Sequence, residues 1–249
     1  MVAMQQKSES NVFAHPVDHI AERIARVRER IRRAAHRVGR VPEEITLLAV
    51  TKSFPPDAVA QAFAAGIRHF GENRVQEARR KIPFCPAGIT WHMIGYVQTN
   101  KATWVVRLFT WVHAIDRLRL IEALESAAAR YQRRLQVLIE VRLSPEPTKH
   151  GCTEDAVPVL VDRLLQAHHL DFVGFMTIPP YHPDPERSRP YFRRLREIRD
   201  ATEEMLQERG IRRRLHLSMG MSHDFEVAIE EGATIVRIGT AIFGERPEP

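Results

Sequence analysis

The residue with the clearest chemical potential in this sequence is Lys52, which ends the apolar run LLAVTK and precedes a turn containing Pro55 and Pro56. Only five of the 37 lysines and arginines are lysines, at positions 7, 52, 81, 101 and 149. Because arginine supplies most of the charge, a retained lysine is a candidate for losing its proton and attacking a carbonyl group. The alternative is a solvated lysine at a strand end. We interpret Lys52 as a candidate for a Schiff base.

Two later segments, LSMGMS and RIGT, combine glycines with hydroxyl side chains. In the first segment, Ser218, Gly220 and Ser222 precede a helical pattern, and in the second, Gly239 and Thr240 follow an apolar run. Small side chains leave backbone amides open to a phosphate group, and hydroxyls add further donors. Each segment by itself is also typical of a helix N-cap or of a tight turn.

These residues lie in a chain that alternates short apolar runs with helical patterns. Eight runs are predicted as strands: ITLLAVTK (45–52), RHFGE (68–72), TWHMIG (90–95), TWVHAID (110–116), LQVLIEVRL (135–143), LDFVGFMTI (170–178), RLHLSMG (214–220) and TIVRIG (234–239). Strict alternation of buried strands and helices implies a parallel sheet. Eight units in about 200 residues favour an α/β fold of the closed (β/α)8 TIM barrel type over an open sheet.

A further helix is predicted before the first strand, over residues 19–40. Its apolar residues recur at spacings of three and four: Ile20, Ile24, Val27, Ile31, Ala34 and Val38. This spacing is typical of an amphipathic helix, here with arginines on the opposite face. We expect residues 1–16 to form a flexible tail and residues 17–249 to form one barrel domain, since no linker divides it.

In such barrels the chemistry gathers at the carboxyl ends of the strands. Lys52 ends the first strand, and the two glycine segments follow strands seven and eight, where phosphate groups commonly bind. A reactive amine beside a phosphate site favours pyridoxal 5′-phosphate, whose aldehyde takes the amine and whose phosphate anchors it. Other residues predicted for this rim are Glu72, Asn73, Tyr96, Gln98, Asn100, Lys101, Thr148, Lys149, Met176 and Thr177. Lys101 and Lys149 are either solvent-facing or a second attachment point for the cofactor.

Arg237 stands inside the apolar strand-eight run IVRIG, on the same side of the strand as Gly239. A buried guanidinium needs an acceptor. Two acceptors fit the sequence: a neighbouring carboxylate, or the pyridine nitrogen of the cofactor.

The runs LLAVTK, HFGENRVQEA, WHMIGYVQTNK, TKHGC, GFMTI and LSMGMSHDFEVAIEEGATIVRIGTAIFG together resemble the pyridoxal phosphate homeostasis protein family. These are small barrel proteins related to the N-terminal domain of alanine racemase, and the resemblance runs from about residue 19 to 246. It implies a barrel that holds pyridoxal phosphate as an internal aldimine on Lys52. The other residues that it assigns to the cofactor are Ser218, Gly239 and Thr240 around the phosphate, Arg237 near the ring nitrogen, and Asn73 and Met219 along its length.

The resemblance further implies a role in intracellular pyridoxal phosphate homeostasis, by buffering or delivery, with effects on amino-acid and keto-acid balance. Apo forms of pyridoxal phosphate-dependent enzymes are then candidate recipients.

Alanine racemase takes its second base, a tyrosine, from another domain, and only ten residues follow Gly239 here, so we expect no turnover. The alternative is a pyridoxal phosphate-dependent racemase or lyase using Tyr96, the one tyrosine predicted for a rim loop, or His92. His92 alternates with apolar residues and is expected in the core.

Composition limits the remaining classes. The chain is 44% hydrophobic and 27% charged, and its two cysteines, Cys85 and Cys152, are too few for a disulfide framework or a cysteine-rich metal site. No run is long enough for a membrane span or typical of a secretory signal, so we expect a cytoplasmic protein. The net charge of +6 concentrates in residues 19–40 and 187–214, which we interpret as ion-paired outer helix faces, with a polyanion-binding patch as the alternative. We expect a monomer that binds neither nucleic acid nor membrane.

Overall fold

Eight parallel strands close into a barrel in the computed structural model, which describes residues 16–144 and 150–245. The strands are β1 (Thr46–Val50), β2 (His69–Glu72), β3 (Thr90–Met93), β4 (Trp111–Ile115), β5 (Leu135–Glu140), β6 (Leu170–Met176), β7 (His216–Met221) and β8 (Ile235–Ile238). They follow one another in chain order, and β8 pairs with β1 to complete the ring. The predicted (β/α)8 barrel is confirmed, and each predicted strand overlaps one observed strand.

Helices follow the strands and form the outer layer. They are α1 (Pro16–Arg37), α2 (Pro56–Ala64), α3 (Val75–Lys81), α4 (Ala102–Leu108), α5 (Leu118–Arg130), α6 (Val157–Leu165), α7 (Arg189–Glu208), α8 (Phe225–Glu230) and α9 (Thr240–Phe243). The added helix α1 buries Ile24, Val27 and Ile31 against this layer, where it contacts α2, α8 and α9. It therefore covers the outside of the barrel where β8 meets β1. The predicted tail lies outside the described residues, except that Pro16 is the first residue of α1.

Apolar side chains are buried in two separate places. The larger group fills the layer between strands and helices. The smaller group lies inside the barrel and consists of Leu48, Val50, Ile94 and Ile235. The partly buried ring of Trp111 packs against these four residues. This inner group does not fill the barrel, because His92, His113, Ser218 and Arg237 are also buried on its strands. A polar interior is thus enclosed by an apolar shell.

The two arginine-rich helices are held by carboxylates. Arg189 of α7 contacts Glu186, Glu230 and Glu231, and Arg194 contacts Glu154 and Glu197. Two arginines of α1 likewise form ion pairs with carboxylates of α8: Arg30 with Glu226, and Arg37 with Glu230, the last residue of that helix. These ion pairs support the interpretation of both segments as packed outer faces. Among the described residues, no helix combines the length and hydrophobicity that a membrane span requires.

Candidate functional site

Lys52 and Gly239 follow the neighbouring strands β1 and β8 at the carboxyl end of the barrel. The pairing of β1 with β8 sets Leu48 beside Arg237 and Ala49 beside Ile238. A Cβ atom built on Gly239 would lie 3.5 Å from the carbonyl oxygen of Val50, two residues before Lys52. The barrel closure therefore brings the predicted amine next to the predicted phosphate segment. The side chain of Lys52 is half-buried.

The loops after β7 and β8 are joined by Ser222. Its hydroxyl oxygen accepts hydrogen bonds from the backbone N–H groups of Gly239, at 3.3 Å, and Ala241, at 3.2 Å. Thr240, between these two donors, is exposed, and Gly239 is half-buried. Two amides and two hydroxyls thus lie together near solvent, and the Ser222 oxygen holds the position in which an oxygen of an anion would accept from both amides. We call Ser222, Gly239, Thr240 and Ala241 the amide cradle.

Gly220 allows the loop after β7 to take this position. Its φ of +91° is in the left-handed region that favours glycine, and a Cβ atom there would lie 2.6 Å from the Cβ of Ala228. The backbone N–H of Met221 donates to Asp224 at 2.8 Å, and Ser188 donates to the same carboxylate at 2.9 Å. The loop is therefore pinned against α8, and Ser222 is held in place.

Arg237 lies deeper in the barrel and is only 4% exposed. Its guanidinium donates to the carbonyl oxygen of Ser218 at 2.6 Å, to the Ser218 hydroxyl at 2.9 Å and to the carbonyl oxygen of Thr177 at 2.9 Å. Burial lowers its pKa to about 10, opposed by the carboxylates of Asp224 and Glu140. Of the two acceptors proposed from the sequence, the carboxylate is not in contact with Arg237 among the described residues. Neutral oxygens hold it instead.

The residues that the resemblance assigned to the cofactor do not all face the same way. Ser218 is fully buried beside Arg237, and Ser222 rather than Ser218 contacts Gly239. The side chain of Met219 packs in the apolar layer between strands and helices, so only its backbone is available to a ligand on the Ser218 side. Sequence reasoning noted Ser222 in the glycine segment but did not assign it to the cofactor.

Asn73 follows β2 at the same end of the barrel. Its side-chain oxygen is buried and accepts no hydrogen bond from the part of the chain that the structure describes. Its backbone packs so closely on Gly95 that a Cβ atom there would lie 2.3 Å from the Asn73 carbonyl oxygen. An unpaired buried acceptor costs about 1–3 kcal/mol, so it is typical of a site that awaits a donor.

Glu72, predicted for the rim, instead turns outward to α3. Its carboxylate accepts from the hydroxyl of Thr51 at 2.6 Å and from the ammonium of Lys81 at 2.8 Å. Lys81 also donates to the Thr51 carbonyl at 2.6 Å and to Glu77 at 2.7 Å. Burial raises the pKa of Glu72, and Lys81 opposes that rise. This cluster fixes the chain immediately before Lys52, and Lys81 shows that a retained lysine here can be structural.

Glu140 ends β5 as a buried carboxyl group, 6% exposed. Burial raises its pKa to about 7, with a further rise from Asp116 and an opposing effect from Arg237. No sequence signal points to Glu140, which is one residue within the apolar strand run LQVLIEVRL. Glu140 is therefore a carboxyl group with a pKa near neutrality that interacts electrostatically with Arg237.

Aromatic side chains mark the rim loops. The ring of Tyr96 stacks on His150, with centroids 4.3 Å apart, and Arg117 lies 4.8 Å over its face. The prediction that Tyr96 is the only rim tyrosine is wrong, since Tyr181 follows β6, is 76% exposed and contacts His223. His92 is fully buried, as expected. Lys101 is half-buried in a turn before α4, and Thr148 and Lys149 lie outside the described residues.

Comparison with known proteins agrees with this geometry. Residues 22–247 match the family model described as alanine racemase, N-terminal domain. A pyridoxal phosphate homeostasis protein of Aquifex aeolicus is 44% identical over 90% of this chain and 97% of its own length. The protein of the same name from Pseudomonas aeruginosa is 43% identical over 91% of this chain and 96% of its own.

A solved structure gives the same result in three dimensions. The structure of PipY from Synechococcus elongatus with PLP bound superposes with a TM-score of 0.78 and is 35% identical. The match covers 90% of this chain and 100% of PipY. Fold, sequence and length therefore agree. The chain belongs to the alanine racemase N-terminal domain family, among the relatives named pyridoxal phosphate homeostasis protein.

Proposed function

We propose that this chain binds pyridoxal 5′-phosphate as a Schiff base on Lys52 and acts in pyridoxal phosphate homeostasis, by buffering the cofactor or delivering it to apo enzymes. The observation that carries the proposal is the adjacency of the Lys52 strand end to the amide cradle, which sets an amine and an anion site on one rim. The cofactor bound to PipY and the names of the relatives support it.

The donor set fits this cofactor. Its aldehyde requires an amine, which is Lys52, and its phosphate requires amides and hydroxyls, which the amide cradle provides. The side-chain oxygen of Asn73, which has no donor among the described residues, would accept a hydrogen bond from the phenolic hydroxyl of the cofactor. Arg237, which neutral oxygens hold within the described part of the chain, retains its positive charge for the ring nitrogen. When bound, the cofactor supplies an electrophilic carbonyl carbon and an electron-accepting ring.

Arg237 also bears on turnover. A guanidinium keeps its proton even after the shift that burial causes, so it would face the ring nitrogen as a donor and leave that nitrogen unprotonated. An unprotonated ring withdraws electrons less strongly from the substrate carbon. We therefore propose a binding protein rather than a racemase or lyase. The enzymatic alternative keeps one specific observation in its favour, the tyrosines Tyr96 and Tyr181 at the rim.

Absorption spectroscopy tests the attachment. Wild-type protein mixed with pyridoxal phosphate should develop the violet absorption band of a Schiff base, and borohydride should fix the label on the peptide containing Lys52. Lys52→Ala should lack both. Lys52→Arg is the matched control, because it keeps the positive charge without an amine that can attack.

Mass mapping of the reduced protein separates the alternatives. Label on Lys52 alone supports the proposal, and label on Lys101 or Lys149 at the same yield in Lys52→Arg contradicts it. Loaded protein incubated with amino acids in deuterated water should not exchange the α-proton catalytically. Sustained exchange, lost in Tyr96→Phe or Tyr181→Phe, would support the enzymatic alternative.

A further inference from the structure

A chain of hydrogen-bonded side chains runs through the barrel interior. Nδ1 of His69 lies 3.0 Å from Nε2 of His92, and Nδ1 of His92 lies 2.9 Å from Nε2 of His113. Nδ1 of His113 is 2.9 Å from the hydroxyl oxygen of Ser218, which also accepts from Arg237 at 2.9 Å. The members come from β2, β3, β4, β7 and β8, so only the closed barrel brings them together. We call His69, His92 and His113 the histidine chain.

The two ends of the chain face different surroundings. His69 is the first residue of β2, is half-buried, and lines a surface groove with Arg28, Ile31, Thr46 and Arg68 at the amino-terminal end of the barrel. The other end, Ser218, is fully buried against Arg237 below the amide cradle. The histidine chain therefore connects solvent at the base of the barrel with the interior of the candidate site.

The surroundings keep the histidines neutral. Burial lowers the pKa of His69, and it holds the pKa values of His92 and His113 well below the ordinary value. The charged or titratable groups facing them are Arg237 and His216 toward His113, and the other histidines of the chain toward His92. Trp111 stacks on His92 with ring centroids 5.1 Å apart, which closes that side to water. No carboxylate is hydrogen-bonded to the histidine chain among the described residues.

A neutral imidazole has one N–H donor and one bare nitrogen that accepts. At each contact one nitrogen must donate and the other accept, so the tautomer of one histidine fixes that of the next. Only two arrangements satisfy every contact. In the first, Ser218 donates to His113, and all three histidines carry their proton on Nε2. In the second, His113 donates to Ser218, all three carry it on Nδ1, and the Ser218 hydroxyl proton is available to a further acceptor.

We propose, on the basis of the proposed function, that the histidine chain is a proton relay that couples the Ser218 hydroxyl under the cofactor to solvent at the amino-terminal end of the barrel. Ser218 has no exposed surface, so without a ligand the first arrangement gives its proton a partner. Conversion to the second arrangement passes one proton along each contact. One proton enters Ser218 from the site, and one leaves Nε2 of His69 to solvent, so charge and proton number in the chain are unchanged.

The relay gives the site an exit for a proton. If Arg237 faces the ring nitrogen of the cofactor, any proton carried in on that nitrogen must leave a buried interior on binding. Arg237 has no acceptor atom for it, but Ser218, hydrogen-bonded to Arg237, does. His113 then continues the path to His92 and His69.

Nitrogen-15 NMR of histidine-labelled protein tests the relay, because protonated and bare ring nitrogens have well-separated shifts. In unloaded wild-type protein, all three histidines should carry the proton on Nε2. Loading with pyridoxal phosphate should move all three together to Nδ1. Histidines that change independently, or that keep their tautomers while the absorption band shows full loading, would overturn the relay.

Ser218→Ala tests the coupling without any cofactor. Removal of the hydroxyl removes the donor that sets the direction of the chain, so the tautomer signal of His69 should shift although three hydrogen bonds separate the two residues. An unchanged His69 signal in Ser218→Ala would overturn the relay. A wild-type protein that shows this coupling but takes up no pyridoxal phosphate would overturn the proposed function and leave the relay standing.

His113→Gln and His216→Gln form a matched pair of variants. Glutamine can hydrogen bond at position 113 but cannot pass a proton, so His69 should no longer respond to loading. His216 is also in the barrel and near Trp111, but its Nδ1 contacts Thr234 at 3.1 Å, outside the histidine chain. His216→Gln should leave the response of His69 intact, and equal losses in both variants would indicate a packing effect and contradict the relay.

Discussion

Lys81 and Arg237 are both buried cations at the barrel, and they are satisfied in opposite ways. Lys81 contacts two carboxylates, Glu72 at 2.8 Å and Glu77 at 2.7 Å, in a cluster on the outer side of β1 and β2. Among the described residues, Arg237 contacts a hydroxyl and two carbonyl oxygens inside the barrel and no carboxylate. The first charge is neutralised within the protein, whereas the second remains available to a ligand.

The contacts of the two cations indicate a structural role for Lys81 and a binding role for Arg237. A buried ion pair broken on one side leaves an uncompensated charge and is costly. A buried guanidinium held by neutral groups has no such partner to lose, and the carboxyl groups of Asp224 and Glu140 act on the pKa of Arg237 only at longer range. Loss of Lys81 should therefore act mainly on folding, and loss of Arg237 mainly on the cofactor.

The largest effect is expected for Lys81→Met. It leaves Glu72 buried without its cation, so the free energy of unfolding should fall by about 3–5 kcal/mol in urea denaturation. Lys101→Met, at the half-buried rim lysine, is the control and should change stability by no more than about 0.5 kcal/mol. Adding Glu72→Gln to Lys81→Met should restore part of the loss, because the amide carries no charge. A loss below about 1 kcal/mol for Lys81→Met would contradict a structural ion pair.

Glu140 is a buried carboxyl group that is close enough to Arg237 to affect its pKa, and it carries the second prediction. The pKa of Glu140 is raised in the folded state to about 7, so between its unfolded pKa, about 4.3, and pH 7 the folded protein binds the extra proton. The Glu140 contribution to stability should therefore fall as pH rises through this window, by up to about 4 kcal/mol, and be fully present below it. Urea denaturation of unloaded protein from pH 5 to 8 measures the slope.

Glu140→Gln is the matched variant for this slope. The amide has the same shape and does not titrate, so the Glu140 contribution to the pH dependence should disappear. An identical slope in wild type and Glu140→Gln would mean that folding does not raise the pKa of Glu140, and would contradict the prediction.

The sequence was sufficient for the parts of the structure that depend on local periodicity. Apolar runs of strand length, separated by helical patterns, predicted all eight strands. Closure of the ring then required the segment with Lys52 after β1 and Gly239 after β8 to be neighbours, and Gly239 does lie against Val50 at the end of β1. The identity of the rim therefore followed from strand order alone.

The sequence was insufficient for contacts that depend on how neighbouring strands are aligned. Ser218 pairs with Ile235 on β8, and the same offset of 17 residues sets Ser222, not Ser218, against Gly239. Neither strand alone reports this register. The direction of Glu72, in contrast, follows from strand alternation, because Glu72 shares a face with Phe70, which packs in the outer apolar layer. The histidine chain was also missed, because its members are 21 to 23 residues apart in sequence and meet only across strands.

The third prediction tests the other side of the comparison. Arg237→Gln removes a charge that no contacting carboxylate shares, so the unloaded protein should lose only about 1–3 kcal/mol, for hydrogen bonds left unmade. Its affinity for pyridoxal phosphate should fall by about 10- to 100-fold, since a charged hydrogen bond to the ring is lost. Titration followed by the absorption band measures the affinity. A stability loss as large as that of Lys81→Met, with unchanged affinity, would remove the distinction between the two cations.

The smallest effect is expected at the amide cradle, where Gly239→Ala adds a single methyl group. Its Cβ would lie 3.5 Å from the Val50 carbonyl oxygen and 3.7 Å from the Val50 Cβ, which are ordinary contacts, so the unfolding free energy should change by less than about 1 kcal/mol. The methyl group narrows the approach to the backbone amides, so phosphate binding should weaken a few-fold, under about 1.4 kcal/mol.

Gly220→Ala is the contrasting variant, because its Cβ would lie 2.6 Å from the Cβ of Ala228 and should destabilise the fold itself. Gly239→Ala leaves the amine of Lys52 unchanged. Borohydride should therefore fix pyridoxal, which has no phosphate group, on Gly239→Ala to the same extent as on wild type. Equal weakening for both forms of the cofactor would show that the phosphate is held elsewhere on the rim.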